Sequence, residues 1–156
     1  MLDALDLYRL ARALHLRGVP LLPRVIRKAT LYLHGSFVPY EAQIGEGTEL
    51  GYGGLGVVIH PGAVIGRDVF IGPHVVIGGR SQKPGAPRID DHVLIGAGAK
   101  VLGPIHVGRS SVIGANAVVV GDVAEGAVMV GAPARQLRIV ERTGRWWDFD
   151  AAASGS

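Results

Sequence analysis

The sequence contains no cysteine, which excludes disulfides, thiolate metal sites and a cysteine nucleophile. Aromatic residues make up only 6% of the chain, and this scarcity favours a core of small and β-branched side chains over a helical bundle. Charged residues are also few, at 19%, while 48% of residues are hydrophobic, so disorder of the whole chain is excluded. No apolar run approaches the roughly 18 residues of a membrane-spanning helix. We therefore expect a folded, soluble, cytoplasmic protein without a membrane span.

Positive charge is concentrated in one part of the chain. The net charge is +3, and six basic residues crowd the beginning of the sequence: Arg9, Arg12, Arg17, Arg24, Arg27 and Lys28. Because these residues do not mark the whole surface, nucleic acid is not expected as a partner. The length of 156 residues suits a single domain.

An aliphatic residue recurs every six positions, with two interruptions. The thirteen aliphatic positions are Val38, Ile44, Leu50, Ile59, Ile65, Ile71, Ile77, Ile89, Ile95, Val101, Val107, Ile113 and Val119. Glycine often follows, and a small or β-branched residue lies four places later. A six-residue period is typical of a β-helix, in which three hexapeptides close one triangular coil and the aliphatic side chains stack inside. The sequence predicts a mainly β protein, a left-handed parallel β-helix of about four coils.

The repeat also predicts the organisation of the chain. Residues 3–17 resemble a helix that Asp3 could cap, and a second helical piece could follow Pro23. We expect an N-terminal helical cap over residues 1–35, with membrane-surface binding by its arginines as the less favoured reading. The β-helix is expected over residues 36–137, and a C-terminal tail over residues 138–156, in which Trp146 and Trp147 could pack on a coil or on another subunit.

Two insertions interrupt the period and predict loops that leave the coil. Three extra residues precede Ile59, in the segment GYGGLGVV, and six precede Ile89, in the segment GGRSQKPGAPR. Rotating the three sides through the repeat places Val38, Ile59, Ile77, Val101 and Val119 on one face. Both loops are then expected to border that face.

These segments resemble the hexapeptide-repeat acyltransferases, and within them the serine acetyltransferase-like group. The motifs that carry the likeness are GVVIHPGAVIG, VVIGGR, IDDHVLIGAGAKVLGPIHVG, VIGANAVVVGDV and VGAPAR, spread over residues 36–137. The resemblance implies an acetyl-CoA-dependent O-acetyltransferase that forms a homotrimer, with active sites between subunits and a histidine that deprotonates an acceptor hydroxyl. The acceptor would be a small molecule such as a serine-like metabolite or a sugar.

The chain also departs from serine acetyltransferases proper. Their loop histidine, its aspartate partner and a further Arg-His have no counterpart, since the loop reads Gly51 to Leu55, the aspartate position falls near Phe37 and Gly85-Ala86 precede Pro87. The resemblance therefore points to a divergent branch in which another histidine acts as the base.

Imidazole is the usual base for attack of a hydroxyl on a thioester near neutral pH. We favour His60, which immediately follows Ile59 where the glycine-rich loop rejoins the coil, and keep His74 as a second candidate for base or acceptor contact. The other four histidines, His15, His34, His92 and His106, are interpreted as structural or exposed. In the first loop, Tyr52, Gly53 and Gly54 are candidates for acceptor binding.

Acetyl-CoA would be the co-substrate, and no metal is expected. Arg80 and Lys83 in the second loop suit its phosphates, because charge-assisted hydrogen bonds to phosphate are strong. Small residues allow a pantetheine arm to approach the backbone. The full candidate set for this ligand is Gly79, Arg80, Lys83, Ala97, Gly98, Lys100, Ala115 and Arg135.

Two other functions remain open at this stage. One is a non-catalytic assembly subunit that kept the fold and lost the chemistry, which the missing loop histidine motivates. The other is a zinc enzyme of the γ-carbonic-anhydrase type, which uses the same coil but needs paired histidines at a spacing that this sequence lacks.

Overall fold

The computed structural model describes residues 2–141. Two helices come first, α1 over Ala4–Leu16 and α2 over Leu22–His34. Within the described residues, fourteen short strands and a 3₁₀ turn over Gly51–Gly54 follow. The predicted segment of Trp146 and Trp147 lies outside the described residues.

Three parallel sheets form the sides of a triangular prism. Sheet I has the order β1-β4-β7-β10, with strands Gln43–Ile44, Val64–Ile65, Arg88–Ile89 and His106–Val107. Sheet II runs β2-β5-β8-β11-β13-β14, with strands Glu49–Leu50, Phe70–Ile71, Leu94–Ile95, Val112–Ile113, Ala127–Val130 and the antiparallel Arg135–Ile139. Sheet III runs β3-β6-β9-β12, with strands Val58–Ile59, Val76–Gly78, Lys100–Leu102 and Val118–Val119.

The strand register confirms the predicted inward positions. On sheet III, Ile59 pairs with Ile77, Ile77 with Val101, and Val101 with Val119, which is the face assigned from the sequence. Twelve of the thirteen aliphatic positions are buried in the core, and only Ile44, in the first coil, is partly exposed. The fold is therefore the mainly β, hexapeptide-repeat β-helix that the period predicts.

Glycine after the aliphatic residue has a steric cause on two sides of the prism. A Cβ on Gly72, after β5, would lie 2.7 Å from the backbone nitrogen of Ala97 in the next coil, closer than real Cβ contacts. Sheet III differs, because Pro39, His60, Leu102 and Val120 carry side chains at the equivalent position. The corner that follows the strands of sheet III therefore has room for side chains and for an inserted loop.

The two helices cover the first coil, as predicted. Asp3 caps α1 in a capping box with Asp6. Inside the cap, the hydroxyl of Tyr8 donates to the carbonyl of Ala42 at 2.7 Å, and Arg12 donates to the same carbonyl at 2.9 Å. Burial of the Tyr8 hydroxyl raises its pKa above the ordinary value, and Arg12 beside it acts in the opposite direction. These polar contacts fix α1 on the open end of the β-helix.

On the other helix, α2 begins one residue before Pro23, where the missing N–H of proline costs no hydrogen bond. The guanidinium of Arg27 stacks over the rings of Phe37 and Tyr40. At the other end of the chain, β14 crosses the boundary expected at residue 137 and pairs with β13. The domain limits themselves stay a prediction.

Candidate active site

The two predicted loops lie at opposite edges of sheet III. Residues 51–57 connect β2 of sheet II to β3 of sheet III, and residues 79–87 connect β6 of sheet III to β7 of sheet I. We call the first the entry edge, made by residues 51–57 and the corners at His74, Gly98 and Asn116. The second is the exit edge, made by His60, residues 79–87 and the corners at Gly103 and Gly121. Both loops border one face, as the sequence predicts.

The first loop at the entry edge has an unusual backbone. Tyr52 has φ 52° and Gly53 has φ 67°, both in the left-handed region, which is uncommon for a residue that carries a Cβ. The side chain of Tyr52 is exposed. Ser36, which follows α2, holds the loop by donating its hydroxyl to the carbonyl of Gly54 at 2.6 Å. The loop is therefore fixed at its base while the Tyr52 ring points away from the core.

His74 lies at the corner of the next coil and packs directly on the same loop. Its φ is 58°, and its backbone N–H donates to the carbonyl of Leu55 at 2.8 Å. A Cβ on Gly56 would collide with Nδ1 of this imidazole, so glycine at that position allows the ring to lie over the loop. Among residues 2–141, no hydrogen bond occupies either ring nitrogen of His74.

A third histidine borders the entry edge, and sequence reasoning did not place it there. A Cβ on Gly53 would lie 4.0 Å from Nδ1 of His34, at the end of α2. The sequence interpretation of His34 as structural rested on its position between cap and coil. Only the packing of the cap on the first coil brings it to the loop, and no sequence spacing signals that contact.

His60 lies at the exit edge, under the second loop. Its Nδ1 accepts a hydrogen bond from the N–H of Gly62 at 2.9 Å. A Cβ on Gly79 would lie 3.7 Å from Nε2 of the ring, which places the start of the second loop beside the imidazole. The ring is partly buried. Because Nδ1 accepts from Gly62, the neutral ring in this arrangement carries its proton on Nε2.

The candidate residues for coenzyme A divide between the two edges. Ala97, Gly98 and Ala115 occupy entry-edge corners in the coils after His74, and Gly98 donates to the carbonyl of Pro73 at 2.9 Å. Lys100 points outward from β9 on sheet III, and its Nζ donates to the carbonyl of Gly98 at 2.7 Å. The entry edge therefore combines small residues, one ammonium group and His74.

At the exit edge, Gly79, Arg80 and Lys83 belong to the second loop. Arg80 extends along the prism and donates to the carbonyl of Val120 at 3.4 Å, while Lys83 is exposed. Arg135 begins β14 at the far end, where its guanidinium donates to the carbonyl of Ala134. Within one chain, sheet III separates His60 and the second loop from His74 and the first loop.

Two further histidines, His106 and His92, lie away from both edges. His106 points outward from sheet I, with Nε2 2.8 Å from Oδ2 of Asp90. His92 lies at a corner between sheets I and II, with its Nδ1 3.9 Å from Oδ2 of Asp68. Across residues 2–141, no group of three or more His, Asp or Glu side chains is arranged to hold a metal ion.

A cleft separate from both candidate histidines lies between the cap and the first coil. Asp3, Arg9, Thr48 and Glu49 are among its lining residues, and neither His60 nor His74 borders it.

Comparison with known proteins agrees with the fold and the motifs. Residues 86–121 match the family model described as "Bacterial transferase hexapeptide (six repeats)". The chain is 36% identical over 140 residues to serine acetyltransferase 2 of Arabidopsis thaliana, an alignment that covers 88% of this chain and 43% of the relative.

Solved structures give the same result. The serine acetyltransferase of Brucella abortus in complex with coenzyme A is 32% identical, with a TM-score of 0.85 over 90% of this chain and 56% of that one. The enzyme of Neisseria gonorrhoeae in complex with serine is also 32% identical, with a TM-score of 0.81 over 86% of this chain and 55% of that one. The chain thus spans about half the length of these relatives. Residues 86–121 therefore carry the hexapeptide repeat of bacterial transferases, and the chain is similar in sequence and fold to serine acetyltransferases.

Proposed function

We propose that the protein transfers the acetyl group of acetyl-CoA to a hydroxyl of a small acceptor. The single observation that carries this proposal is the likeness to a serine acetyltransferase solved with coenzyme A, over 90% of this chain. The chemistry is direct transfer. The acceptor oxygen forms a bond to the thioester carbonyl carbon as its proton passes to an imidazole, and collapse of the tetrahedral intermediate breaks the C–S bond and returns the proton to the leaving sulfur.

We further propose a homotrimer in which sites form between subunits. In a closed ring of three, the entry edge of one subunit can face the exit edge of the next. Such a contact would bring His60 and the second loop of one chain to the first loop and His74 of another. The division of the candidate residues between two edges of sheet III supports this arrangement, because one chain alone keeps them apart.

His60 is the proposed base, and its ring must first change tautomer at a small cost in free energy. For Nε2 to accept a proton, the ring must move its own proton to Nδ1 and release the Gly62 N–H. That hydrogen bond is exposed, and a typical one contributes only about 0.5 to 1.5 kcal/mol. A positioned general base contributes about 10² to 10⁴ in rate, which exceeds the loss of roughly tenfold that this release implies. His74, whose ring nitrogens make no hydrogen bond within residues 2–141, is the alternative base or an acceptor contact.

The test uses purified 156-residue chain, acetyl-CoA and a panel of serine and sugar acceptors, with release of the coenzyme A thiol as the readout. His60→Ala should lower kcat by about 10² to 10⁴ and change the affinity for coenzyme A by no more than a few fold. His74→Ala is the matched variant and should mainly alter acceptor affinity. If the two phenotypes are exchanged, His74 is the base and the acyltransferase proposal stands.

Two results would overturn the proposal. Full activity of both variants with a verified acceptor would contradict histidine-base catalysis. Absence of coenzyme A binding by calorimetry, together with no active acceptor, would instead support the assembly-subunit alternative, which the missing loop histidine motivates. Light scattering that shows a monomer at micromolar concentration would contradict the trimer alone.

A further inference from the structure

Helix α2 exposes a stripe of large apolar side chains. Leu21, Val25 and Tyr32 follow one another at spacings of four and seven, so they lie on one line of the helix. Val25 is 60% exposed and Tyr32 is 79% exposed. Pro23 and Thr30, on the opposite side, are buried against the rest of the cap. The stripe therefore faces away from the protein.

Further apolar residues widen this stripe on one side. Leu22 adjoins it near the start of the helix and Leu33 near its end, about three turns further on, and both are exposed. Exposed leucines occur singly on most proteins, whereas a contiguous patch indicates a binding surface. We call the patch of Leu21, Leu22, Val25, Tyr32 and Leu33 the α2 face.

Basic side chains border the other side of the α2 face. Arg24 and Lys28, four residues apart, are exposed, and neither has an ion-pair partner within residues 2–141. Arg27 on the same side pairs with Glu41 at 3.4 Å. Between Asp6 and Glu41 the sequence has no acidic residue. The cap therefore presents an apolar stripe beside uncompensated positive charge.

This combination selects among the surfaces that could cover the α2 face. A second copy placed face to face would bring two faces of the same positive charge together, since α2 carries no acidic residue, and like-charge contacts oppose association. An anionic lipid surface suits both the apolar stripe and the basic residues beside it. The apolar side chains enter the boundary of headgroups and acyl chains, while the basic ones contact phosphates. A tyrosine within the stripe suits that boundary, since its ring is apolar and its hydroxyl is polar.

We propose that the α2 face binds peripherally to the surface of a membrane rich in anionic lipid. The helix lies in the plane of the interface, with Leu21, Val25 and Tyr32 inserted and Arg24 and Lys28 at the phosphates. Among the described residues, no helix is long and apolar enough to cross a membrane. The proposal concerns the cap alone and is independent of the acetyl transfer proposed for sheet III.

The test is flotation of the 156-residue protein with vesicles of phosphatidylglycerol and phosphatidylcholine in equal parts, and with vesicles of phosphatidylcholine alone. We expect binding to the anionic vesicles that weakens with added salt, and at least tenfold weaker binding to the neutral ones. Val25→Glu combined with Tyr32→Glu should reduce binding more than tenfold. Arg24→Gln combined with Lys28→Gln should reduce it about fivefold for each charge removed.

Matched controls come from β14 and a corner of the prism. Leu137→Glu removes an apolar side chain that is about as exposed as Val25, and Arg109→Gln removes an exposed charge far along the chain. Both should bind as the unchanged protein does, and circular dichroism should show all variants folded. Equal loss in the controls, equal binding to neutral vesicles, or no binding would each overturn the proposal. It also falls if the α2 variants change the mass in light scattering without any vesicle effect, because the face is then an interface between copies.

Discussion

Truncation of Ile89 tests the inward register of the β-helix. This side chain is 1% exposed and lies in sheet I between Ile65 and Val107, its partners in the coils on either side. Its neighbour Arg88 points outward and is exposed. Because side chains alternate in direction along a strand, a register error of one residue would exchange the two. Ile89→Ala and Arg88→Ala are therefore a matched pair.

The expected cost of Ile89→Ala lies in the upper part of the usual range. Truncation of a buried isoleucine costs about 2 to 5 kcal/mol, and the cost is greatest where the cavity cannot collapse. Here the backbone hydrogen bonds between coils keep the spacing, since Arg88 N–H donates to Ile105 at 2.9 Å and Gly66 N–H to Ile89 at 2.8 Å. We expect about 3 to 5 kcal/mol for Ile89→Ala, and about 0.5 to 1.5 kcal/mol for Ile89→Val.

Thermal unfolding followed by circular dichroism measures the difference. For a protein of this size each kcal/mol shifts Tm by about 2 to 4 °C, so Ile89→Ala should lower Tm by about 6 to 20 °C. Arg88→Ala should stay within about 0.5 kcal/mol, as is usual for surface changes. Protein concentration must be equal throughout, because association stabilises the folded state. A loss for Arg88→Ala as large as that for Ile89→Ala would refute the register.

Two further predictions concern the cap and the coil spacing. Tyr8→Phe should destabilise the protein by about 1 to 3 kcal/mol in urea unfolding, because the N–H of Ile44 loses its acceptor. The pKa of Tyr8 is raised above 10.0 in the folded state, so the stability that its hydroxyl contributes is complete below about pH 10 and is lost as the pH rises further. The free energies of unfolding of the two proteins should therefore converge at high pH, and a constant difference would contradict this linkage. Gly72→Ala should cost about 1 to 3 kcal/mol through its clash with Ala97, whereas Gly121→Ala, with open space around it, should change little. Equal melting temperatures for the two glycine variants would show that the coils can separate.

The fold was readable from the sequence because a β-helix is a local repeat. Each hexapeptide contacts its equivalents in the coils on either side. The inward position of Ile77 therefore follows from its place in the repeat, between its equivalents Ile59 and Val101. The cap helix was readable for a similar reason, since Asp3 and Asp6 form a capping box within one turn. The two loops were readable as interruptions of the count, together with the face that both border.

The arrangement of the candidate site was decided by tertiary structure. The contact of Nδ1 of His60 with the N–H of Gly62 depends on a ring orientation that no spacing encodes. His34 reaches the first loop only because the cap packs on the first coil, and the exposed side of α2 follows from which residues that packing buries. A repeat determines which residues point inward because that is a property of neighbouring hexapeptides. Which imidazole meets which loop is fixed by contacts between distant segments, and those exist only once the chain has folded.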